Sequence, residues 1–173
     1  MVPITEILFL IISLMLLIAV GIYAIKAAQG IASLGKQDSV LGSAHKYAVG
    51  AAIASILGAT LIIGLIIAYF IYTRGSSTRD LSTPATVMLA ITLVLILLSG
   101  ILTAIVAARM NSSSAGSAAI RKAAYNDAVI ATLLGIIGFV LISGILIALR
   151  VYQHRKKQRE LATIGAKLEH LSK

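Results

Sequence analysis

Charge-free stretches set the rhythm of this chain. Residues 7–25, 47–73, 81–108 and 128–149, of 19, 27, 28 and 22 residues, contain no Asp, Glu, Lys, Arg or His. A helix crossing the hydrocarbon core of a bilayer needs about 20 apolar residues. Each stretch is long enough, and the two longest can tilt or extend past the interface. The polar positions between them predict the connections. Helix 1 starts near Pro3, a residue tolerated in a first turn, and ends around residues 27–30. A Gly- and Ser-containing loop over 28–45 follows, part of which can be helical, with Ile31, Leu34 and Leu41 placed to lie against the membrane surface. Helix 2 runs over 44–72, and RGSSTRDLST reads as a turn. Thr83 before Pro84 starts helix 3 as a capping side chain followed by proline. Helix 3 ends near Met110, NSSSAGS is a linker, and helix 4 begins near Ile120 and continues past Leu149. The expected fold is all-α, an integral membrane four-helix bundle made of two tandem helical hairpins. Its divisions are 1–43 (first span and polar loop), 44–80 (second span and short turn), 81–119 (third span and Ser/Gly linker), 120–149 (fourth span) and 150–173 (basic amphipathic tail).

Two of the apolar runs resemble each other. AHKYAVGAAIASILGATLIIGLIIAYFIY (44–72) and AYNDAVIATLLGIIGFVLISGILIALRVY (124–152), offset by 80, agree at 12 of 29 positions without a gap. So biased a composition gives roughly four matches by chance, so the pair reads as an internal repeat. Helices 1 and 3 align poorly at this offset. The shared positions are mostly small. Residues 44, 48, 51, 55, 58 and 62 fall on one helix face at spacings of 4, 3, 4, 3 and 4, and Ala48, Ala51, Ser55 and Gly58 occupy its middle. The second copy places Ala128, Ala131, Gly135 and Gly138 there. Lipid tails are as apolar as leucine, so helices in a bilayer associate through close backbone approach, which small residues permit. The spacing favours a left-handed crossing. A second stripe, Leu61, Gly64, Ala68 and Tyr72, recurs as Leu141, Gly144, Ala148 and Tyr152, and helix 3 offers Gly100, Ala104 and Ala108. All of these are expected packing seams.

Composition agrees: the chain is 59% hydrophobic and 12% charged, against about 45–50% and 25% in soluble domains. There is no cysteine, which excludes disulfides, thiolate metal sites and cysteine nucleophiles. MVPITE lacks Lys and Arg, and the apolar run after it exceeds the length of a signal-peptide core, so the first span is expected to be retained. Neither a Gly after Met1 nor a carboxy-terminal CaaX box signals a lipid anchor. Nine Lys/Arg share the side of the termini and the 74–80 turn, and six share the other side, which by the positive-inside rule puts both termini in the cytoplasm. All six tyrosines fall near helix ends, as headgroup-level anchors do.

Ionisable groups within a span usually mark function, and here none lies in mid-span. Glu6 and Asp127 are at helix entries, while Lys26, Arg109 and Arg150 can snorkel to the surface. That argues against proton-coupled transport. His45, His154 and His170 have no metal-ligand spacing. No nucleophile–base set or phosphate loop is present, so the expectation is no enzyme, no metal and no cofactor. The sequon at Asn111 abuts the end of helix 3, too near the membrane for modification.

The tail supplies the remaining chemistry. Arg150, Arg155, Lys156, Lys157 and Arg159 form a juxtamembrane cluster, suited to anionic headgroups or an acidic protein. Leu161, Ile164, Leu168 and Leu171, spaced 3, 4 and 3, draw an apolar helix face fit for a partner. Expected partners are the lipid bilayer, including anionic headgroups, other membrane proteins, and a further copy of the chain; nucleic acid is not among them. Four cysteine-free spans, with Ala44-His45-Lys46-Tyr47-Ala48 and Ala124-Tyr125-Asn126-Asp127-Ala128 opening Ala/Gly/Ile-rich helices, resemble small multipass proteins of the internal membrane of large icosahedral DNA viruses. The resemblance covers about sixty residues. It implies a non-enzymatic structural or assembly role that ties the virion membrane to the capsid through the tail, with termini on the face equivalent to cytoplasm. The alternative is a small transporter, channel or accessory subunit, with Thr92, Ser99, Thr103 and the paired glycines lining a path.

Overall fold

A computed structural model describes residues 4–34, 39–74, 82–114 and 116–171. The described chain forms four helices: α1 (Ile4–Ser33), α2 (Ser39–Arg74), α3 (Ser82–Ser112) and α4 (Ala118–Leu171). Each contains a segment long and apolar enough to cross a membrane, Leu10–Ser33, Ser39–Ile71, Ala85–Ser112 and Ala118–Arg159. The protein is a multipass membrane bundle. Its helices close a ring in chain order, each packed on its two neighbours, while the diagonal pairs scarcely touch.

The outside of the ring is greasier than the inside. Met15, Val94, Val140 and Ile147 are all more than 60% exposed, the reverse of a soluble domain, where such side chains fill the core. The interior changes along the axis. At the end holding the α1–α2 connection it is mostly alanine: Ala27, Ala28, Ala44, Ala48, Ala107, Ala124 and Ala128, with Ile31, Leu41, Val106 and Met110. Toward the other end Leu17, Ile62, Leu65, Leu89, Ile96 and Ile142 take over.

The polar loop expected over 28–45 is largely helix. α1 continues to Ser33 and α2 already starts at Ser39. Ile31 and Leu41, expected on the membrane surface, are each 1% exposed in the alanine-rich end of the core. The reason is local. No proline interrupts 28–34 or 39–45, and Gly30 lets α1 approach α4 until a Cβ there would lie 3.1 Å from that of Ala124. The linker after α3 includes Gly116, whose φ of 75° is the left-handed conformation that glycine adopts without Cβ strain. Beyond Leu149 there is no break, because α4 runs on as one helix to Leu171. Pro3, most of the RGSSTRDLST turn and the side chains of Glu6, Tyr72, Lys156, Ile164, Leu168 and Leu171 lie outside the described residues.

Candidate functional site

The seam on α2 and α4 points inward. Ala48, Ala51, Ser55 and Gly58, and Ala128, Ala131, Gly135 and Gly138, are all buried. Gly58 receives Leu17 of α1: a Cβ there would sit 3.2 Å from Leu17 Cδ2 and 3.7 Å from Thr92 Cγ2. Gly138 receives Ile96 of α3, whose Cδ1 occupies the space of a Cβ. Gly135 meets backbone, with its Cβ position 3.3 Å from Gly100 Cα and 3.9 Å from the Ile96 carbonyl oxygen. Gly64 and Gly144 lie differently. Both are exposed, with nothing within 4 Å of a Cβ, while Leu61, Ala68 and Leu141 of the same stripe are half-buried. Ala104 is also exposed. It lines a groove of about 240 Å³ between α3 and α4, with Leu97, Gly100, Thr132, Gly135 and Phe139.

Among the described residues, every buried polar side chain is a hydroxyl: Ser13, Ser55, Thr92, Ser99, Thr103 and Ser113. They are mostly satisfied, as a dry interior requires. Ser55 and Ser99 stand 2.8 Å apart across α2 and α3, and both reach the Ala51 carbonyl, at 2.9 and 3.0 Å. Two protons serve three contacts, so one hydroxyl donates to the carbonyl while the other donates to its partner. Thr132 of α4 reaches Thr103 Oγ1 at 3.0 Å and its own Ala128 carbonyl at 2.8 Å. Thr103 in turn reaches the Ser99 and Gly100 carbonyls. Hydroxyls thus join α2, α3 and α4 at one level. Thr92 bonds back to the Met88 carbonyl. Ser13 Oγ, fully buried, has no partner.

A second polar group lies at the end with the α1–α2 connection. His45 Nδ1 is 3.0 Å from the Ala28 carbonyl, so with its proton on Nδ1 the ring ties α2 to α1. Arg109 leans from α3 onto α2, where it donates to Ser43 Oγ and stacks over the Tyr47 ring at 5.1 Å. Lys26 lies over Tyr23 at 5.3 Å. Sequence reading placed Arg109 as a snorkelling cation and did not anticipate its capture by α2; the signal was Ser43 and Tyr47 at i and i+4, opposite the one basic residue of the last turn of α3. Ser13, Thr132 and the bond made by His45 were also not anticipated.

Arg150, Arg155, Lys157 and Arg159 are exposed, as is Leu161. Asn111 lies in the final turn of α3, next to Ser113, which is 9% exposed. No group of three or more His, Cys, Asp or Glu able to hold a metal occurs among the described residues. Comparison of the chain with protein-family models, curated proteins and solved structures gave no match in any of the three.

Proposed function

We propose that the protein is a non-enzymatic structural component of a membrane, whose bundle anchors a basic helix that projects from one face. The observation that carries this reading is the interior. It is filled by alanine, leucine, isoleucine and hydroxyls, and no ionisable side chain is buried among the described residues. A transported ion or proton needs polar partners at mid-span, whereas the hydroxyls here are mostly engaged with carbonyls and with one another. The likeness to internal-membrane proteins of large icosahedral viruses supports the same reading, with the tail directed at the capsid. Both termini are assigned to the cytoplasmic side, or to the virion face equivalent to it, on the excess of Lys and Arg there. Purified chain reconstituted into liposomes should leave ion and solute permeability at the level of empty liposomes. A saturable, solute-specific flux abolished by Thr103→Val would establish the transporter reading instead.

A further inference from the structure

Arg109 reaches from α3 to α2 at a membrane boundary. The charge-free stretch of α3 ends at residue 108 and that of α2 begins at residue 47, so Arg109 and Lys46 stand at the same membrane boundary on adjacent antiparallel helices. Lys46 is exposed, while Arg109 is half-buried. Ser43, Lys46, Tyr47 and Gly50 are three and four residues apart and share one face of α2. Arg109 is fixed on that face. Ser43 gives its own proton to the Val40 carbonyl at 2.9 Å, which leaves its lone pairs to accept from Arg109 Nη1. The Tyr47 ring holds the guanidinium plane. Among the described residues no carboxylate meets it, so within that set the half-buried, oriented fork of N–H donors faces no anion.

At the same end, α1 and α4 are sealed by Gly30 against Ala124. The α2–α3 corner carries two cations, and one turn deeper Leu102 of α3 closes on Gly50, its Cδ1 3.4 Å from where a Cβ would lie. Val49, Ile53 and Leu98 beside this corner are exposed to the hydrocarbon.

We infer that Arg109, oriented by Ser43 and Tyr47, and Lys46, one turn from Ser43 on α2, bind the phosphate of one glycerophospholipid, whose acyl chains lie along the exposed Val49 and Ile53 of α2. Guanidinium pairs bidentately with phosphate oxygens, and the ammonium adds a point charge. The inference rests on the membrane placement of the bundle and is independent of its assembly role. The site is at the end opposite the basic tail, so the two kinds of lipid contact are separable.

Native mass spectrometry of the full chain, titrated with phosphatidylglycerol in detergent, tests it. One phospholipid should remain bound per chain. Arg109→Gln should weaken its retention at least about tenfold, the loss of one charge-assisted pairing. Lys26→Gln, which removes an exposed boundary cation of α1 at the same end, should leave it unchanged. Arg109→Lys keeps the boundary charge and loses the fork and the stacking; it should weaken retention by an intermediate factor, and it serves as the reading if the glutamine variant does not fold. Retention of the same stoichiometry by Arg109→Lys and Arg109→Gln overturns the inference. So does binding of inorganic phosphate that displaces the lipid, which would assign the site to a soluble anion.

Discussion

The contact between Gly138 and Ile96 permits a size swap across two helices. A methyl added to Gly138 would overlap Ile96 Cδ1, while the next atoms are at ordinary contact distance, Ile96 Cγ1 at 3.6 Å and Leu16 Cβ at 3.9 Å. Ile96 is fully buried, so its tip gives way only by leaving its packed rotamer and turning toward the α3–α4 groove that it also lines. Gly138→Ala alone should therefore cost about 1–3 kcal/mol, as overpacking does. Ile96→Val alone removes Cδ1 and should cost about 0.5–1.5 kcal/mol. Together they restore the filled volume, since the methyl lost from α3 is regained on α4. The double variant should lie within about 1 kcal/mol of the parent, with a favourable coupling of at least about 1 kcal/mol. The helix propensity of alanine over glycine contributes little, because helices persist in the membrane whether or not they associate. Unfolding of the detergent-solubilised chain by added dodecyl sulfate, followed by tyrosine fluorescence since the chain has no tryptophan, gives all three values. Additivity within about 0.5 kcal/mol would mean that Ile96 does not fill the space at Gly138, and the inward face of α4 would need reassignment.

Other outcomes follow from the same geometry. Gly135→Ala presses on the backbone of α3 and should destabilise by about 1–2 kcal/mol, whereas Gly64→Ala and Gly144→Ala, with open space around them, should stay within about 0.5 kcal/mol of the parent in the same titration. Ser99→Ala should cost about 0.6–1.7 kcal/mol, the range for a hydrogen bond between membrane helices, and should show coupling with Ser55→Ala in a double-mutant cycle. Ser13→Ala should be neutral or stabilising by about 1 kcal/mol, because it removes a buried hydroxyl with no partner; a loss of stability would reveal a bonded Ser13. Replacing Arg155, Lys157 and Arg159 together by Gln should weaken binding to vesicles rich in phosphatidylserine, by about 1 kcal/mol per charge near the surface, with no change in the unfolding midpoint.

Span number and helix content were legible because charge is the one thing a bilayer interior excludes, and its absence over four stretches is written directly in the sequence. The inward face of α2 and α4 was legible for a related reason: small residues at seven-residue spacing have no use toward lipid. The limits of that rule are visible in Gly64 and Gly144. They are as small and as regularly spaced, yet exposed, since the pattern does not say how far around a helix its neighbours reach. The polar rim was harder still. Loop and helix share a composition of Gly, Ser and Ala over 28–45, and only the partner helices decide that Ile31 and Leu41 are inside. The capture of Arg109 by Ser43 and the tie of His45 to Ala28 join residues 66 and 17 positions apart, a register that no local pattern specifies.

The unbroken course of α4 turns its tail into a measuring rod. At 1.5 Å per residue the 54-residue helix is about 81 Å long, and the part beyond Leu149 reaches about 33 Å from the end of the apolar run. Arg150 and Arg155 lie within about 9 Å of that point, inside the screening length of about 8–10 Å, while Arg159 is about 15 Å out. An upright helix therefore divides its own cluster: the inner charges stand within screening distance of the end of the apolar run, and the outer ones stand beyond it. The height of the tip becomes a count of residues. Each residue inserted after Arg159 would raise the tip by about 1.5 Å and rotate it by about 100°, so a one-residue change in length alters both the height and the facing of the tip.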